Sequence, residues 1–282
     1  PLALAVFEMI HGANMAFGLC PLLSFGAIEA LLAHGSPELQ QMYLPKLISG
    51  EWTGAMNLTE PQAGSDVGAL TTKAMPNGDG SYSISGQKIY ITWGDHDMTE
   101  NIIQLVLARL PDAPPGSKGI SLFVAPKFFV RPDGSLGDRN AFKCIGLEHK
   151  MGIHASPTCV MEYSGAKGWL VGEENKGLAA MFTMMNSARL NVGLEGVAVG
   201  EAALQAGVAY AKDRKQGSIP GEKGAVAIIR HPDVQRMLLT MAANVQAARA
   251  ICYACGAAAD IAEHHPDEAA RKQAKSREDL LT

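Results

Sequence analysis

The chain has 282 residues, of which 47% are hydrophobic and 18% are charged, and its formal net charge is −4 at pH 7. This composition is typical of a globular protein with two or three domains, and it excludes a disordered chain. The acidic balance argues against nucleic acid as a partner, since duplex binding usually needs a basic face. Glu8, His11 and Asn14 interrupt the apolar opening of the chain, so we expect a buried helix there and no membrane span.

The five cysteines are scattered, and only Cys252 and Cys255 lie close together in the sequence. An odd number of dispersed cysteines favours free thiols in a reducing compartment over a disulfide scaffold, and we expect a cytoplasmic protein. The close pair has no second pair and no ordered histidine ligands beside it in the sequence. We therefore interpret Cys252 and Cys255 as core thiols on a helix in preference to a zinc site.

Residues 1–53 are predicted to be helical, as the end of an N-terminal helical domain. Gly35 is a typical helix C-cap, and Ser36, Pro37 and Glu38 then supply the N-cap, a first-turn proline and an early acid for a second helix. In residues 54–164 the hydrophobic period changes to two, and turn residues separate short strand-like runs. This pattern predicts a middle domain that is an antiparallel β-barrel or sandwich.

Residues 165–282 are predicted to form long helices. The stretch 176–215 contains no proline, and 234–263 repeats apolar residues at helical spacing. Helices of this length are typical of a helical bundle. Because two of them cannot cover each other's apolar faces, we expect further helices to follow, and we interpret the chain as an internal piece of a longer protein. The predicted fold class is α+β multidomain, with a truncated C-terminal α-helical bundle.

The most informative stretch is 56–67, which reads MNLTEPQAGSDV. It has the form of a strand that breaks at Glu60–Pro61 into a turn containing Gly64 and Ser65. Glycine allows a close backbone approach, and the serine hydroxyl both donates and accepts hydrogen bonds. Such a turn could hold a flat, polar-edged ring and its phosphates. Proline and glycine also simply end strands, so both interpretations stay open on the residues alone.

A second candidate stretch is 88–94, which reads KIYITWG. As a strand, it would place Tyr90 and Thr92 on one face, because alternate side chains of a strand share a face. An aromatic ring beside a hydroxyl can flank a redox ring and bond to its nitrogen edge. An ordinary cross-strand aromatic pair would give the same pattern.

Both stretches resemble the two flavin-contacting segments of the acyl-CoA dehydrogenase family. The order of a helical segment, a β domain and a bundle of long helices is also similar to the architecture of that family, and the resemblance covers nearly all of the chain. Residues 146–158 and the long insertion at 95–100 are similar to the 3-methylthiopropanoyl-CoA dehydrogenase branch. The resemblance implies FAD as the cofactor and an acyl-CoA thioester as the substrate.

The resemblance also implies roles for individual residues. One flavin-contacting segment would meet the pyrimidine side of the isoalloxazine, and the other would lie near its N5 atom. Arg214 would reach the FAD pyrophosphate of a neighbouring subunit, whereas Arg189 would contact the CoA portion of the substrate or, alternatively, form an ion pair between helices. The residues assigned in this way are Met56, Leu58, Thr59, Tyr90, Thr92 and Arg214 for FAD, and Ser65 and Arg189 for the substrate.

In the family, a carboxylate removes the α-proton of the acyl-CoA while the β-hydrogen leaves as hydride to flavin N5. Most members carry this base as a glutamate late in the bundle, beyond the end of this chain. A minority carry it immediately before the arginine matched by Arg189, where this chain has Ala188. We therefore assign no catalytic residue and expect this chain alone to be inactive. The expected partners are an electron-transfer flavoprotein and further subunits, in a homodimer or homotetramer.

Three alternatives remain open. An acyl-CoA oxidase of the same superfamily would pass its electrons to oxygen. A DNA-binding flavoprotein of this fold would need a basic face, against which the acidic balance argues. A fragment that serves only in assembly would not retain FAD.

Overall fold

The computed structural model describes residues 2–282, which form two compact units. One unit is Ala16–Ala188, and the other combines Pro1–Met15 with Arg189–Thr282. The helices are α1 (Leu2–His34), α2 (Pro37–Ser49), α3 (Gly177–Asp213), α4 (Pro232–His264) and α5 (Glu268–Leu281). The strands are β1 (Trp52–Asn57), β2 (Lys73–Pro76), β3 (Tyr82–Thr92), β4 (Asn101–Ala108), β5 (Ser121–Pro126), β6 (Phe128–Val130), β7 (Leu136–Arg139), β8 (Phe142–Leu147) and β9 (Thr158–Val171).

Helix α2 is capped at both ends, and the cap at its start is the predicted one. At its start the Ser36 hydroxyl accepts a hydrogen bond from the Leu39 N–H at 3.4 Å, and a proline follows the cap. At its end Gly50 takes a left-handed conformation with φ of 80°, and its N–H donates to the Leu47 carbonyl at 3.2 Å. These contacts satisfy backbone groups that a helix leaves unpaired at its termini. The predicted helix start at Ser36 is confirmed.

Helix α1 is long and apolar enough to cross a membrane by length and composition, with a mean hydropathy of 1.8 in its most apolar window. However, 56% of that window is buried inside the protein, as in the core helix of a globular protein. The backbone leaves helical geometry once, at Asn14, where φ is −157° and ψ is 90°. The apolar opening of the chain is therefore a kinked helix.

Seven strands form one mixed sheet in the unit Ala16–Ala188. Its main path runs β1-β4-β5-β9-β3-β2, while β8 pairs with β9 outside this path and β6 pairs with β7 separately. Strand β1 is parallel to β4, and the other pairs are antiparallel. The path ends at β2 without returning to β1, so the predicted barrel is not what residues 2–282 form. The predicted antiparallel pairing holds for every strand pair except β1 and β4, which run in the same direction, so the sheet is mixed.

The sheet folds over one core as a sandwich does. The long strand β9 pairs with β5 near its C-terminal end and with β3 along the rest of its length, so it belongs to both halves. The enclosed core draws apolar side chains from both halves, including Ala55, Ile84, Ile91, Phe123 and Met161. This sharing of β9 explains how short strands in one sheet can cover both sides of a core.

Strand β4 is buried on both faces. Alternate side chains point to opposite faces of a strand, and Ile102 and Val106 belong to the core inside the sandwich. Ile103, Leu105 and Leu107 belong to a second core with residues of α1, α2 and the first turns of α3. A strand in this position reads as a nearly continuous apolar run, and residues 102–108 form such a run, which Gln104 interrupts.

The second unit is helical. A small core of Leu4, Phe7 and Leu194 packs with Cys252 and Tyr253 of α4. Arg249 donates to Glu8 and Glu201, both at 2.8 Å, and so links α4 to α1 and α3. Large apolar side chains such as Val192, Leu239 and Ile251 are exposed on α3 and α4. The helical C-terminal part of the predicted fold class is confirmed, whereas the predicted domain boundaries at 53 and 164 stay predictions.

Candidate functional site

The structure brings the two candidate stretches together in the unit Ala16–Ala188. Beyond the last paired residue of β1, Leu58 and Thr59 continue the chain alongside β3. The Ile89 N–H donates to the Thr59 carbonyl at 2.9 Å, and the Lys88 ammonium donates to the Leu58 carbonyl at 3.0 Å. The backbone that precedes the Glu60–Pro61 break therefore lies against the strand that carries Tyr90 and Thr92.

A buried ion pair holds this junction. The Nζ atom of Lys88 lies 2.8 Å from Oε1 of Glu60, and the two side chains are 0% and 1% exposed. The carboxylate of Glu60 also accepts hydrogen bonds from the backbone N–H groups of Thr71 at 2.7 Å and Thr72 at 3.1 Å. A charge buried with a partner and several donors is tolerated, whereas an unpaired one is very costly. The pair therefore fixes the turn to β3.

The two partners respond differently to burial. Burial acts to raise the pKa of Glu60, but the charge of Lys88 and the hydrogen bonds from Lys88, Thr71 and Thr72 outweigh it and lower this pKa to about 2. Burial lowers the pKa of Lys88 to about 8, against the opposing effect of the Glu60 charge. Both groups are therefore ionised at pH 7. Glu60 is nevertheless a poor general base, because a carboxylate with so low a pKa is weakly basic and both of its oxygens already accept hydrogen bonds.

A β-bulge interrupts β3 beside the junction. Lys88 pairs with Met161, but the next pair joins Ile91 to Cys159, so β3 has one residue more than β9 over this interval. The extra residue places Tyr90 in the left-handed region with φ of 58°. Bulges of this kind re-aim side chains and are frequent near active sites. The sequence did not predict the bulge.

The bulge turns Tyr90 outward. Its ring is 59% exposed, whereas Ile91 is buried and Thr92 is half-buried. Trp93 is a second residue with positive φ, at 53°, and such a conformation costs about 1–3 kcal/mol for a residue other than glycine. The Trp93 indole N–H donates to the Ala16 carbonyl at 3.1 Å, and this contact helps to hold the strained segment.

A cavity of about 450 Å³ lies beside the Gly64–Ser65 turn. One side is formed by the turn that begins at Ser65 and by the loop at Gly116 and Ser117, and the other by Leu178, Phe182 and Met185 of α3. The loop side thus carries a few polar groups, from Ser65, Asp66 and Ser117, among small and apolar residues, and the helix side is apolar. A largely apolar wall with a few polar groups is common in sites for organic ligands. This arrangement places Ser65 at the rim of a ligand-sized space.

Arg109 fixes both loops that line the cavity. Its guanidinium donates to the carbonyls of Gly68, Leu70, Pro114 and Gly116, with Nε–O of 2.9 Å to Leu70 and Nη2–O of 2.7 Å to Gly116. A planar guanidinium with five donors can join several carbonyls at once. The positions of the two loops therefore depend on one side chain at the end of β4.

The predicted site residues fall into both compact units. Five of the six residues predicted for FAD, and Ser65, belong to the unit Ala16–Ala188, whereas Arg189 and Arg214 belong to the other unit. Arg189 lies on α3, and Arg214 follows the end of this helix. The exposed guanidinium of Arg214 donates to the Gln216 side chain at 3.1 Å, and its backbone N–H donates to the Tyr210 carbonyl at 2.9 Å.

The groups at the junction fit a flavin. Strand β1 ends the sheet path, and among residues 2–282 no strand pairs with its other edge. Backbone groups near Met56 and Leu58 and the half-buried hydroxyls of Thr59 and Thr92 supply the donors and acceptors that the polar edge of an isoalloxazine requires. The exposed Tyr90 ring supplies an aromatic face. Residues 2–282 contain no group of three His, Cys, Asp or Glu side chains that could hold a metal ion.

Sequence reasoning missed Lys88, Glu60 and Arg109 as residues that organise the site. A lysine in a strand is usually exposed, and Lys88 is separated from Glu60 by 28 positions, so no local pattern links them. Arg109 follows an apolar run, and its four acceptors lie on loops whose positions the sequence does not give. The available signal was weak, because Lys88 lies in a strand that also contains other polar residues such as Ser85 and Gln87.

Comparison with known proteins identifies the family of the chain. Residues 55–166 match the family model described as acyl-CoA dehydrogenase, middle domain, and residues 175–277 match acyl-CoA dehydrogenase, C-terminal domain. The chain is 53% identical over 279 residues to a 3-methylmercaptopropionyl-CoA dehydrogenase of Ruegeria pomeroyi, which covers 98% of this chain and 47% of the relative. It is 42% identical over 281 residues to a butyryl-CoA dehydrogenase of Syntrophomonas wolfei, covering 96% and 46%.

Solved structures give the same result. Butyryl-CoA dehydrogenase from Megasphaera elsdenii superposes with a TM-score of 0.78 at 25% sequence identity, over 99% of this chain and 67% of that one. The chain spans about half the length of the curated relatives described above. The expected resemblance to the 3-methylthiopropanoyl-CoA branch agrees with the 53% identity to the Ruegeria protein, since the two substrate names are synonyms. The chain belongs to the acyl-CoA dehydrogenase family.

Proposed function

We propose that the protein catalyses FAD-dependent α,β-dehydrogenation of an acyl-CoA thioester. The observation that carries this proposal is the junction at which Leu58 and Thr59 lie against β3, with the bulge exposing Tyr90 beside Thr92. Two relatives are named for dehydrogenation of 3-methylmercaptopropionyl-CoA and butyryl-CoA. These names support a short acyl chain in the substrate of this protein.

FAD, when bound, would supply the acceptor for the hydride that leaves the β-carbon. In this proposal the backbone of Met56 and Leu58 and the hydroxyl of Thr59 bind the pyrimidine edge of the isoalloxazine. Thr92 donates a hydrogen bond to the ring, and Tyr90 covers it from water. Arg214 binds a phosphate through the forked geometry of its guanidinium.

The substrate is proposed to use the cavity beside Ser65. The serine hydroxyl would bind a polar group of the CoA portion, and Phe182 and Met185 would pack against its apolar parts. Arg189, on the same helix as these two residues, would bind a phosphate of CoA. Arg109 would act indirectly, because it fixes the loops on which Ser65 and its neighbours lie.

The α-proton would be removed by a glutamate outside this chain. Ala188 has no titratable group, and Glu60 is too weak a base because its pKa is about 2. Glu195 has a pKa that burial raises to about 7, but it lies about 10 Å further along α3 than Ala188, at about 1.5 Å per residue. On this basis we propose that the chain alone is inactive.

The remaining parts of the proposal concern the surroundings of the protein. Electrons would pass from the flavin to an electron-transfer flavoprotein. A homodimer or homotetramer would let Arg214 reach the FAD of a neighbouring subunit. We place the protein in the cytoplasm, in agreement with its five free thiols among the described residues.

The test is to purify the full-length protein, supply FAD, and add butyryl-CoA or 3-methylmercaptopropionyl-CoA without oxygen. We expect a bound flavin whose visible absorbance bleaches on addition of one of these substrates. Failure to retain FAD would contradict the proposal. Bleaching followed in air by rapid stoichiometric release of peroxide would instead favour the oxidase alternative.

A further inference from the structure

The core of the sandwich contains three buried polar side chains from three strands. Asn57 of β1 and Gln104 of β4 are 0% exposed, and Tyr163 of β9 is 2% exposed. The residues around them are apolar, including Ala55, Val106 and other members of the same core. Burying polar groups in such a core costs free energy unless each finds a hydrogen-bond partner.

These side chains form one continuous chain of hydrogen bonds. The Tyr163 hydroxyl donates to Oδ1 of Asn57 at 2.9 Å, and Nδ2 of Asn57 donates to Oε1 of Gln104 at 2.7 Å. Nε2 of Gln104 then donates to the carbonyl oxygen of Gly94 at 2.6 Å. Every bond points in the same direction, so each donor polarises the next. A satisfied network of this kind rigidifies the strands that it joins.

The part of this hydrogen-bond series that runs from Asn57 through Gln104 to Gly94 joins the two proposed flavin-contacting segments. Asn57 immediately precedes Leu58 and Thr59, and Gly94 follows Thr92 after one residue. The backbone of Gly94 packs closely against Ile91, because a Cβ atom at Gly94 would lie 2.8 Å from Cγ2 of Ile91. This series of side-chain hydrogen bonds thus connects the end of β1 with the end of β3 through the interior of the sandwich.

The segment that receives the last hydrogen bond is strained. Tyr90 and Trp93 both have positive φ values, of 58° and 53°. Non-glycine residues keep such conformations only where the surrounding structure holds them. The bond from Gln104 to the Gly94 carbonyl is one of these constraints, and it comes from the core, not from the surface.

We propose that Asn57, Gln104 and Tyr163 are positioning residues that set the distance and orientation between the two flavin-contacting segments. The inference rests on the proposed function, because it concerns how this chain's own residues present Thr59 and Thr92 to FAD. None of the three touches the reacting atoms in this proposal. They act through the backbone of Leu58–Thr59 and of Thr92–Gly94.

The test uses the full-length protein with the variants Gln104→Met and Tyr163→Phe. Apoprotein of each is titrated with FAD, and the absorbance maximum and reduction potential of the bound flavin are measured at saturating FAD. We expect Gln104→Met to raise the Kd for FAD about tenfold and Tyr163→Phe by several-fold, since a buried partner loses its hydrogen bond. Both variants should also shift the flavin spectrum and potential, which a general loss of stability would not change.

The matched control is Asn140→Ala. Asn140 is also buried in this unit, and its amide donates to the carbonyls of Pro126 at 3.0 Å and Lys167 at 2.8 Å, outside the bonded chain. It should lower the unfolding temperature without shifting the flavin spectrum. If Gln104→Met does not fold, Tyr163→Phe, which removes one hydroxyl, decides the question. Flavin properties equal to those of the control would overturn the inference, whereas a wild-type protein that binds no FAD would overturn the proposed function instead.

Discussion

Each compact unit buries a glutamate, and the two behave in opposite ways. Glu60, in the unit Ala16–Ala188, faces the Lys88 ammonium at 2.8 Å and accepts two backbone N–H bonds. Glu195, in the other unit, lies 4.0 Å from the His11 ring, and its side chain is 12% exposed. Burial raises the pKa of Glu195 to about 7, whereas the pKa of Glu60 falls to about 2.

The difference teaches that burial alone does not determine the charge of a carboxyl group. Burial favours the neutral form at both positions. At Glu60 a cation and several donors outweigh this effect. At Glu195 they are missing, since burial also lowers the pKa of His11 and so disfavours its charged form. We expect the first glutamate to stabilise the fold as an anion and the second to destabilise it once ionised.

The largest expected effect follows from removing the cation beside Glu60. Lys88→Met leaves a buried carboxylate without its partner, and we expect a loss of about 3–5 kcal/mol in the free energy of unfolding. Urea unfolding of the full-length protein measures this loss. The double variant Lys88→Met/Glu60→Gln should recover most of it.

Lys46→Met is the matched control for Lys88→Met. Lys46 pairs with Glu51 at 2.8 Å on the surface, and exposed pairs contribute little to stability. We expect unfolding of this variant to remain as in the wild type. Equal losses for Lys46→Met and Lys88→Met would break the comparison between buried and exposed charges.

The second effect is acid destabilisation through Glu60. Its folded pKa of about 2 lies below its ordinary value of 4.5, so the unfolded chain binds more protons between these values. The stabilisation is complete above pH 4.5 and disappears as the pH falls through about 2. We expect the wild type to lose about 2–3 kcal/mol over this range relative to Glu60→Gln. An equal slope of stability against pH for both proteins would show that Glu60 does not titrate in this way.

For Glu195 we expect the opposite dependence of stability on pH, with lower stability at higher pH. Its folded pKa of about 7 lies above 4.5, so the native state binds more protons, and the contribution to stability is lost as the pH rises from 4.5 through about 7. Glu195→Gln should therefore be about 1–2 kcal/mol more stable than the wild type at pH 8, after allowance for solvent screening. Thermal unfolding at pH 5 and pH 8 tests this. A variant less stable than the wild type at pH 8 would reverse the assignment.

The smallest expected effect is that of Thr92→Val, which should weaken FAD binding or slow flavin reduction without unfolding the unit that contains Glu60. Thr92 is half-buried on β3, and Thr92→Val keeps the shape of the side chain without its hydroxyl. Losing one neutral hydrogen bond is worth about 0.5–1.5 kcal/mol, so we expect FAD affinity or the rate of flavin reduction to fall several-fold. Unchanged flavin content and reduction rate would remove Thr92 from the site.

Elements with local signals were predictable from the sequence. Ser36 and Gly35 mark the boundary between α1 and α2 because capping depends on neighbouring residues only. The buried strand β4 corresponds to a nearly continuous apolar run in the sequence. The two flavin-contacting segments were proposed from their similarity to those of a known family. Features that depend on distant partners were not predictable. The bulge at Tyr90 depends on pairing with β9, and the roles of Lys88 and Arg109 depend on loops far away in the sequence.

The most direct test of the proposed site is a crystal structure of the full-length protein grown with FAD. We expect the isoalloxazine between the segment Leu58–Thr59 and the segment Tyr90–Thr92, with both threonine hydroxyls within hydrogen-bonding distance of the ring. A flavin bound elsewhere, with these two threonines solvated or covered by another part of the protein, would contradict the site.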